Sequence, residues 1–270
     1  MKIQIDQLAY TNRLRWLPPE HKLTFATTLF LITFFSHPTV QILIAVWMSI
    51  WIVIYAGISA KVYLKLLYVA LFFWLTSLFA LVFNIVASDS VANIQNDALA
   101  GLTIGFFHIY ISFNGILQGL SILTRALASL SCLYFVMLTI PFSELLEVLR
   151  RIGLPELLCE ILLLMYRFIF VLLNTASQLW TAQQARFGYR TFNTSIKSLG
   201  LLVGQLFKRT LENYRQVSLS LESRGFNGQF RVWHPYRYRP SKRYAIEAII
   251  GSTILLGLEL LNHARIYTRV

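Results

Sequence analysis

Long apolar runs are the feature of this sequence that most restricts its fold. Residues 23–58 are almost continuously apolar. As a single helix they would extend about 54 Å, too far for one crossing of a hydrocarbon core of about 30 Å. Ser36, His37 and Pro38 interrupt the run, and proline ends a helix because it lacks a backbone N–H donor. The run therefore predicts two membrane-spanning helices, at about 23–36 and 38–58, joined by a tight turn.

Three further segments have membrane-spanning length, at about 66–86, 116–140 and 244–261. Hydrophobic residues make up 56% of the chain and charged residues 13%, a balance that excludes an ordinary soluble domain. Basic residues precede the first run, but no small-residue cleavage site follows it, so we interpret it as a span and not as a signal peptide. The predicted fold is an all-α polytopic membrane protein with about five transmembrane helices.

The distribution of basic residues predicts which segments face the cytoplasm. No Lys or Arg lies between Lys65 and Arg125, so residues 87–98 are predicted to be external, with 101–113 at the outer interface. Basic residues flank 141–243 at both ends, which places this region in the cytoplasm. The predicted organisation is a membrane domain (1–140), a long helical cytoplasmic region (141–243), and a final transmembrane helix with a short tail (244–270).

One apolar segment of the cytoplasmic region leaves two placements open. Residues 157–173 are strongly apolar but contain Glu160 and Arg167. If both charges lay unpaired at the bilayer centre, they would cost about 5–7 kcal/mol on the insertion scale. A helix on the inner membrane face, with these charges solvated or paired, is therefore favoured over a segment that dips into the membrane.

Several classes of function lack their motifs in this sequence. Neither G-x-x-x-x-G-K-[ST] nor H-E-x-x-H occurs, so neither a phosphate-loop nucleotide site nor a zinc-protease site is predicted. No two aspartates occur as a pair in the sequence, which disfavours a transferase that holds magnesium and pyrophosphate with paired aspartates. The cysteines and histidines are scattered, and we interpret His37 and His108 as interfacial polar residues. No catalytic residue, cofactor or metal site is predicted, and a stand-alone membrane enzyme or channel is disfavoured.

A basic and aromatic cluster precedes the last span. Aromatic residues alternate there with arginines: Trp233, Tyr236 and Tyr238 with Arg231, Arg237 and Arg239. The composition is compatible with nucleic-acid binding, but it is also typical of the interface beside a transmembrane helix. We predict an interfacial belt against the lipid bilayer and no nucleic-acid partner.

Arg125 is the single charge inside the predicted span 116–140. An intramembrane arginine can pair within the helix bundle, extend its side chain to the interface, or serve a function. The sequence leaves these three interpretations open.

Two predicted cytoplasmic helices end in a similar way. Small and polar residues lead to an arginine, followed closely by glycine, at Ala185-Arg186-Phe187 and at Ser223-Arg224-Gly225. Each arginine can be an ordinary helix cap, because a cation favours a helix C-terminus and glycine ends the helix. Alternatively, each can insert into a groove of a partner, where a carboxylate binds the guanidinium bidentately.

The chain resembles the transmembrane component of energy-coupling-factor transporters, specifically the CbiQ-type subunit of cobalt and nickel uptake systems. Five segments carry the resemblance: LTIPFSELL (138–146), LRRIGLP (149–155), LLMYRF (163–168), AQQARFGY (182–189) and LESRGF (221–226). Residues 1–100 and the last span resemble the family mainly in hydropathy.

The resemblance implies a role and a pair of sites. In that family, coupling helices end in an Ala-Arg-Gly type of motif whose arginines dock on two ATP-binding-cassette ATPase subunits. By position, Arg186 and Arg224 correspond to the docking arginines, while Phe187 replaces the glycine of the first motif and Ser223 the alanine of the second. The implied protein is a non-catalytic coupling subunit of a prokaryotic, multi-pass membrane importer, which links the ATPases to a substrate-capture membrane subunit. Cobalt or nickel is the implied substrate, and a vitamin-capture partner is the alternative.

Overall fold

The structure is a computed structural model, which describes residues 4–87, 98–104, 107–225, 238 and 240–267. The chain divides into two compact units, one comprising Met1–Phe142 with Tyr236–Val270, the other Ser143–Pro235. Most of the predicted external loop (87–98) and most of the interfacial belt before the last span lie outside the described residues.

The first unit is a bundle of apolar helices around a central one. Its helices are α1 (Gln4–Thr11), α2 (Pro19–Phe35), α3 (Pro38–Ile50, continued by a π-helical turn at Trp51–Tyr55), α4 (Ala60–Val82), α5 (Phe113–Thr139) and α9 (Lys242–Tyr267). Helix α5 contacts α1, α2, α3 and α4, and α9 contacts α2 and α3. The core between them contains Leu29, Ile44, Met48, Phe135 and Leu138, all buried.

Four helices of the described part are long and apolar enough to cross a membrane: Pro38–Tyr55, Ala60–Val82, Phe113–Thr139 and Lys242–Asn262. The predicted all-α polytopic fold is confirmed in this respect. The first predicted span corresponds to α2, which has 17 residues and extends about 25 Å, less than a hydrocarbon core of about 30 Å. Pro38 begins α3, as the interruption at Ser36-His37-Pro38 predicts.

Hydrogen bonds between buried polar groups fix the helices of this bundle against one another. The Tyr63 hydroxyl of α4 lies 2.9 Å from Ser49 Oγ of α3 and 2.9 Å from Ser131 Oγ of α5. Thr124 Oγ1 donates to Gln41 Oε1 at 2.8 Å. Because buried polar groups require partners in an apolar environment, these contacts restrict how the helices can shift.

Two glycines bring α4 and α5 close together. Gly115 and Gly119 lie four residues apart on α5, a spacing that places both on one face of a helix. A Cβ at Gly115 would overlap the backbone carbonyl of Leu81, and one at Gly119 would overlap the side chain of Leu78. The Trp74 indole N–H donates to the Gly119 carbonyl at 2.9 Å. Small residues thus allow the close helix contact that is common in membranes.

A small antiparallel sheet, which the sequence analysis did not predict, connects α4 to α5. Its strands are β1 (Phe83–Ala87), β2 (Ala98–Ile104) and β3 (Phe107–Ser112), in the order β1-β3-β2. Ile85 and Leu102 both pair with Ile109, and the β2–β3 register is irregular between Ala98 and Ala100. Residues 101–113, expected only to lie at the outer interface, are therefore largely strands. Their β-branched and aromatic residues favour this conformation.

The second unit is helical, with α6 (Phe142–Ile152), α7 (Glu156–Ala185) and α8 (Phe192–Ser223). Helix α7 has 30 residues and α8 has 32, which gives lengths of about 45 and 48 Å. The apolar segment 157–173 forms the first half of α7, and its Leu157 and Met165 side chains are exposed. Its location on or in the membrane stays a prediction.

Candidate functional site: two arginine-capped helix ends

The C-terminus of α7 is a complete Schellman motif with Arg186 as the C-cap residue. The Phe187 N–H donates to the Gln184 carbonyl and the Gly188 N–H to the Gln183 carbonyl, both at 3.0 Å. Phe187 has a φ of 58°, the left-handed conformation that this motif requires and that glycine normally supplies. For a residue with a Cβ, that conformation costs about 1–2 kcal/mol. The replacement of glycine by Phe187 therefore preserves the cap geometry but introduces strain.

The turn that follows is held by side-chain contacts. Ser198 Oγ of α8 donates to the Gly188 carbonyl at 2.8 Å, and the Tyr189 hydroxyl donates to Gln183 Oε1 at 2.6 Å. The Tyr189 ring stacks on Trp180, with 4.1 Å between the ring centroids. These contacts, absent from our sequence analysis, connect the end of α7 to α8 and compensate for the strain at Phe187.

The described C-terminus of α8 shares the C-cap conformation of the first end and its positive φ at the next residue. Arg224 is the C-cap residue, with φ −91° and ψ 6°, close to the −95° and 16° of Arg186. The Gly225 N–H donates to the Glu222 carbonyl at 3.0 Å, and Gly225 has a φ of 68°. The structure thus places both predicted arginines at the same position of the same kind of helix end.

Both helix ends present their side chains to the solvent. Ala185, Arg186 and Phe187 are exposed, as are Ser223, Arg224 and Gly225. Phe187 is 77% exposed despite its apolar ring. Among the described residues, neither guanidinium forms an ion pair. Each end therefore combines an exposed cation with small or apolar neighbours, a composition suited to insertion into a partner.

The two ends are far apart. Arg186 lies at the turn before α8 and Arg224 at its far end, so the length of α8 separates them by about 40–50 Å. One protein groove cannot hold both arginines at that distance. The structure thus contains two separate candidate docking points and not one composite site.

An exposed apolar stripe runs along α8 between these ends. Its members recur at three- and four-residue spacing and are all exposed: Phe192, Ile196, Leu199, Val203, Phe207, Leu211 and Tyr214. The helical spacing of these residues is visible in the sequence. A stripe of this length without a partner in the described second unit indicates an interaction surface.

The described residues contain no group of three or more His, Cys, Asp and Glu side chains that could hold a metal ion. His37, interpreted from the sequence as an interfacial residue, lies with its Nδ1 2.7 Å from Glu259 Oε1. This pair joins the α2–α3 turn to α9. The side chain of His108 lies outside the described residues.

Comparison with known proteins identifies the family. The profile of the CbiQ family, described as cobalt transport protein, matches residues 11–233. The chain is 30% identical over 233 residues to the cobalt transport protein CbiQ of Salmonella typhimurium, covering 84% of this chain and 99% of that protein. It is 38% identical over 94 residues to CbiQ of Rhodobacter capsulatus, covering 35% of this chain and 38% of that protein.

A third relative is a longer protein. In Methanocorpusculum labreanum, a protein named as a fused cobalt transport protein CbiMQ is 29% identical over 225 residues, covering 83% of this chain and 36% of the fusion. The family match and the apolar helices together make the chain a multi-pass membrane protein of a prokaryote. The chain belongs to the CbiQ family of cobalt transport proteins.

Proposed function

We propose that this chain is the non-catalytic coupling subunit of an ATP-driven importer of cobalt or nickel ions. It links two ATP-binding-cassette ATPases to a membrane subunit that captures the substrate. The observation that carries the proposal is the pair of equivalent helix ends, each with an exposed C-cap arginine, on α7 and α8.

The chemistry of these ends fits a groove that contains a carboxylate. A guanidinium binds a carboxylate through two parallel N–H···O bonds, and such charge-assisted bonds are among the strongest in proteins. At the first end, the exposed ring of Phe187 adds an apolar contact. At the second end, Ser223 and Gly225 let the partner approach the backbone closely. Phe187, in place of the glycine of the family motif, therefore changes the surface that contacts the partner more than it changes the backbone of the helix end.

Two separated ends suit two ATPases. Because about 40–50 Å separates Arg186 from Arg224, each arginine would engage a different subunit. When ATP binding and hydrolysis move the two ATPases together and apart, the ends of α7 and α8 would follow. Packed helices shift between discrete arrangements and do not deform smoothly, so long helices can carry such a movement to the rest of a complex.

The membrane partner is supported by the relatives and by the surface of the first unit. The name CbiMQ joins a second component to the CbiQ part in the Methanocorpusculum labreanum protein. In the present chain, the most apolar, membrane-spanning stretch of α4 has no buried residue within the described structure. We infer that lipid or a membrane partner covers this helix. The names of the relatives favour cobalt over a vitamin as the substrate.

A co-purification experiment with a charge-matched control tests this function. The chain is co-expressed with the capture subunit and ATPases of its transporter and purified in a mild detergent. The double variant Arg186→Ala, Arg224→Ala should lose the ATPases and cobalt uptake. The control, Arg209→Ala with Arg215→Ala, removes two exposed arginines from the length of α8 and should retain both.

Retention of the ATPases and of uptake in the double variant would overturn the docking role and assign the two arginines to helix capping. Loss of the ATPases in the control as well would also contradict the proposal, since the effect would then follow from net charge alone.

A further inference from the structure

Arg125 is an exposed charge near the middle of a membrane-spanning helix. Its helix, α5, extends from Phe113 to Thr139, and the neighbouring side chains Leu117 and Ile122 are 50% and 47% exposed. Among the described residues, Arg125 forms no hydrogen bond or ion pair. Pairing within the bundle, one of the three interpretations open from the sequence, is therefore not observed in this part of the chain.

Arg125 lies beside a polar recess at the α2–α3 turn. The recess has a volume of about 230 Å³, and its lining includes Phe35, His37, Gln41, Ser121 and Arg125. A short α2 explains why a turn reaches this level of the bundle, because its 17 residues extend only about 25 Å.

The other polar groups of the recess have partners within the chain. Gln41 Nε2 donates to the Ser36 carbonyl at 2.8 Å, and Gln41 Oε1 accepts from Thr124 at 2.8 Å. The backbone N–H of His37 lies 3.2 Å from both carboxylate oxygens of Glu259, and its Nδ1 lies 2.7 Å from Oε1. The guanidinium of Arg125 is thus the charged group of the recess that lacks a counter-charge in the described structure.

The depth of Arg125 disfavours a lipid headgroup as its partner. Lys22 Nζ, near the start of α2, donates to the Thr139 carbonyl at the end of α5 at 3.1 Å. These two helix ends therefore lie together, on the side that the positive-inside rule predicts to be cytoplasmic. Arg125 lies about 21 Å along α5 from Thr139. With Thr139 at the inner edge of a hydrocarbon core of about 30 Å, the backbone of Arg125 is then about 9 Å below the outer edge. An unpaired arginine inside the core is unfavourable, and such residues pair with one another or with protein groups.

The surroundings fit a membrane protein that presents a carboxylate. The exposed apolar side chains around Arg125, including the 83% exposed Phe35, offer a surface on which another transmembrane helix can pack. A positive guanidinium repels metal ions, so the recess does not suit the transported cation. A carboxylate on a partner helix is also unfavourable when it faces lipid. An ion pair between this carboxylate and the Arg125 guanidinium therefore stabilises both charges.

We propose that Arg125 binds a carboxylate on a membrane-spanning helix of the substrate-capture subunit, with the recess at the α2–α3 turn as the seat of this contact. The proposal rests on the proposed function, because it assigns to that partner a specific point of attachment on α5. It adds an intramembrane contact to the two cytoplasmic helix ends.

The test measures retention of the capture subunit and of the ATPases separately in the co-expressed complex. Arg125→Leu should weaken binding of the capture subunit at least about tenfold, which corresponds to 1.4 kcal/mol, and should leave the ATPases bound. Arg125→Lys keeps the charge but loses the bidentate geometry, and should retain part of the binding. Gln118→Leu, which removes an exposed uncharged polar side chain from the same helix, is the matched control and should change nothing.

Unchanged binding of the capture subunit by Arg125→Leu would overturn the proposal and assign Arg125 to the membrane interface or a lipid phosphate. If Arg125→Leu also releases the ATPases, a charge exchange decides. Arg125→Glu should then regain the capture subunit when one acidic residue in the membrane helices of that subunit is changed to arginine, and failure at every such residue would overturn the proposal. A wild-type complex that contains the capture subunit but no ATPase would refute the proposed function while leaving this comparison intact.

Discussion

The strained residue at the end of α7 leads to a prediction in which two substitutions have opposite effects on the stability of the helix ends. Phe187 adopts a φ of 58° and Gly225 a φ of 68° at the equivalent positions of the two helix ends. The left-handed conformation costs a residue with a Cβ about 1–2 kcal/mol relative to glycine. Phe187→Gly should therefore stabilise the first end by about 1 kcal/mol, because the mostly exposed ring contributes little burial. Gly225→Ala should destabilise the second end by a similar amount.

The magnitude of the second change comes from conformation alone. A Cβ at Gly225 meets no atom within 4 Å, so no steric overlap contributes to it. Hydrogen exchange of the full chain in detergent, followed by mass spectrometry of peptides from each helix end, measures both effects. A local change of about 1 kcal/mol alters the protection of the last helical amides about fivefold.

We expect slower exchange of peptides covering the end of α7 in Phe187→Gly and faster exchange at the end of α8 in Gly225→Ala. Peptides from α5 serve as the internal control and should not change. Faster exchange in Phe187→Gly would refute the reasoning, since it would mean that contacts of the phenylalanine ring outweigh the strain of its backbone.

Four further substitutions test the packing. Gly115→Ala should lower the thermal stability of the full chain in detergent, because its Cβ would overlap the Leu81 carbonyl and force α4 away from α5. Gly188→Ala should destabilise the α7–α8 turn by more than about 1 kcal/mol, since its Cβ would lie 2.7 Å from Ser198 Oγ. By contrast, Gly200→Ala lies inside α8, with open space around the added Cβ, and should stabilise that helix by about 0.5–1 kcal/mol. Hydrogen exchange of α8 distinguishes the stabilising Gly200→Ala from the destabilising Gly188→Ala. Tyr63→Phe removes the hydroxyl shared with α3 and α5 and should cost about 0.6–1.7 kcal/mol in detergent unfolding.

The membrane helices follow from the sequence because their signal is strong and local. Long apolar runs admit few folds in a bilayer, and Pro38 marks the start of α3 as its chemistry requires. The sheet between α4 and α5 does not follow in the same way. Residues 107–112 are mostly apolar, and the hydropathy of so short a run does not distinguish a strand from a segment of helix. Only the pairing of β3 with both β1 and β2 decides its conformation.

The candidate site could be located from the sequence but not described from it. Arg186 and Arg224 were selected by their position before helix-ending residues and by family resemblance, and their docking role stays a proposal. The left-handed Phe187 could not be predicted, because phenylalanine rarely adopts a positive φ. It depends on contacts such as Ser198 with Gly188, which connect α8 to the turn after α7.

The number of ATPases bound per chain tests the central claim most directly. Native mass spectrometry of the purified complex counts these subunits for the wild-type chain and for each arginine variant. We predict two ATPases for the wild type in the presence of ATP, impaired retention of one of them in Arg186→Ala or Arg224→Ala, and none in the double variant. Two firmly bound ATPases in the double variant, or a wild-type chain that binds none, would contradict the account.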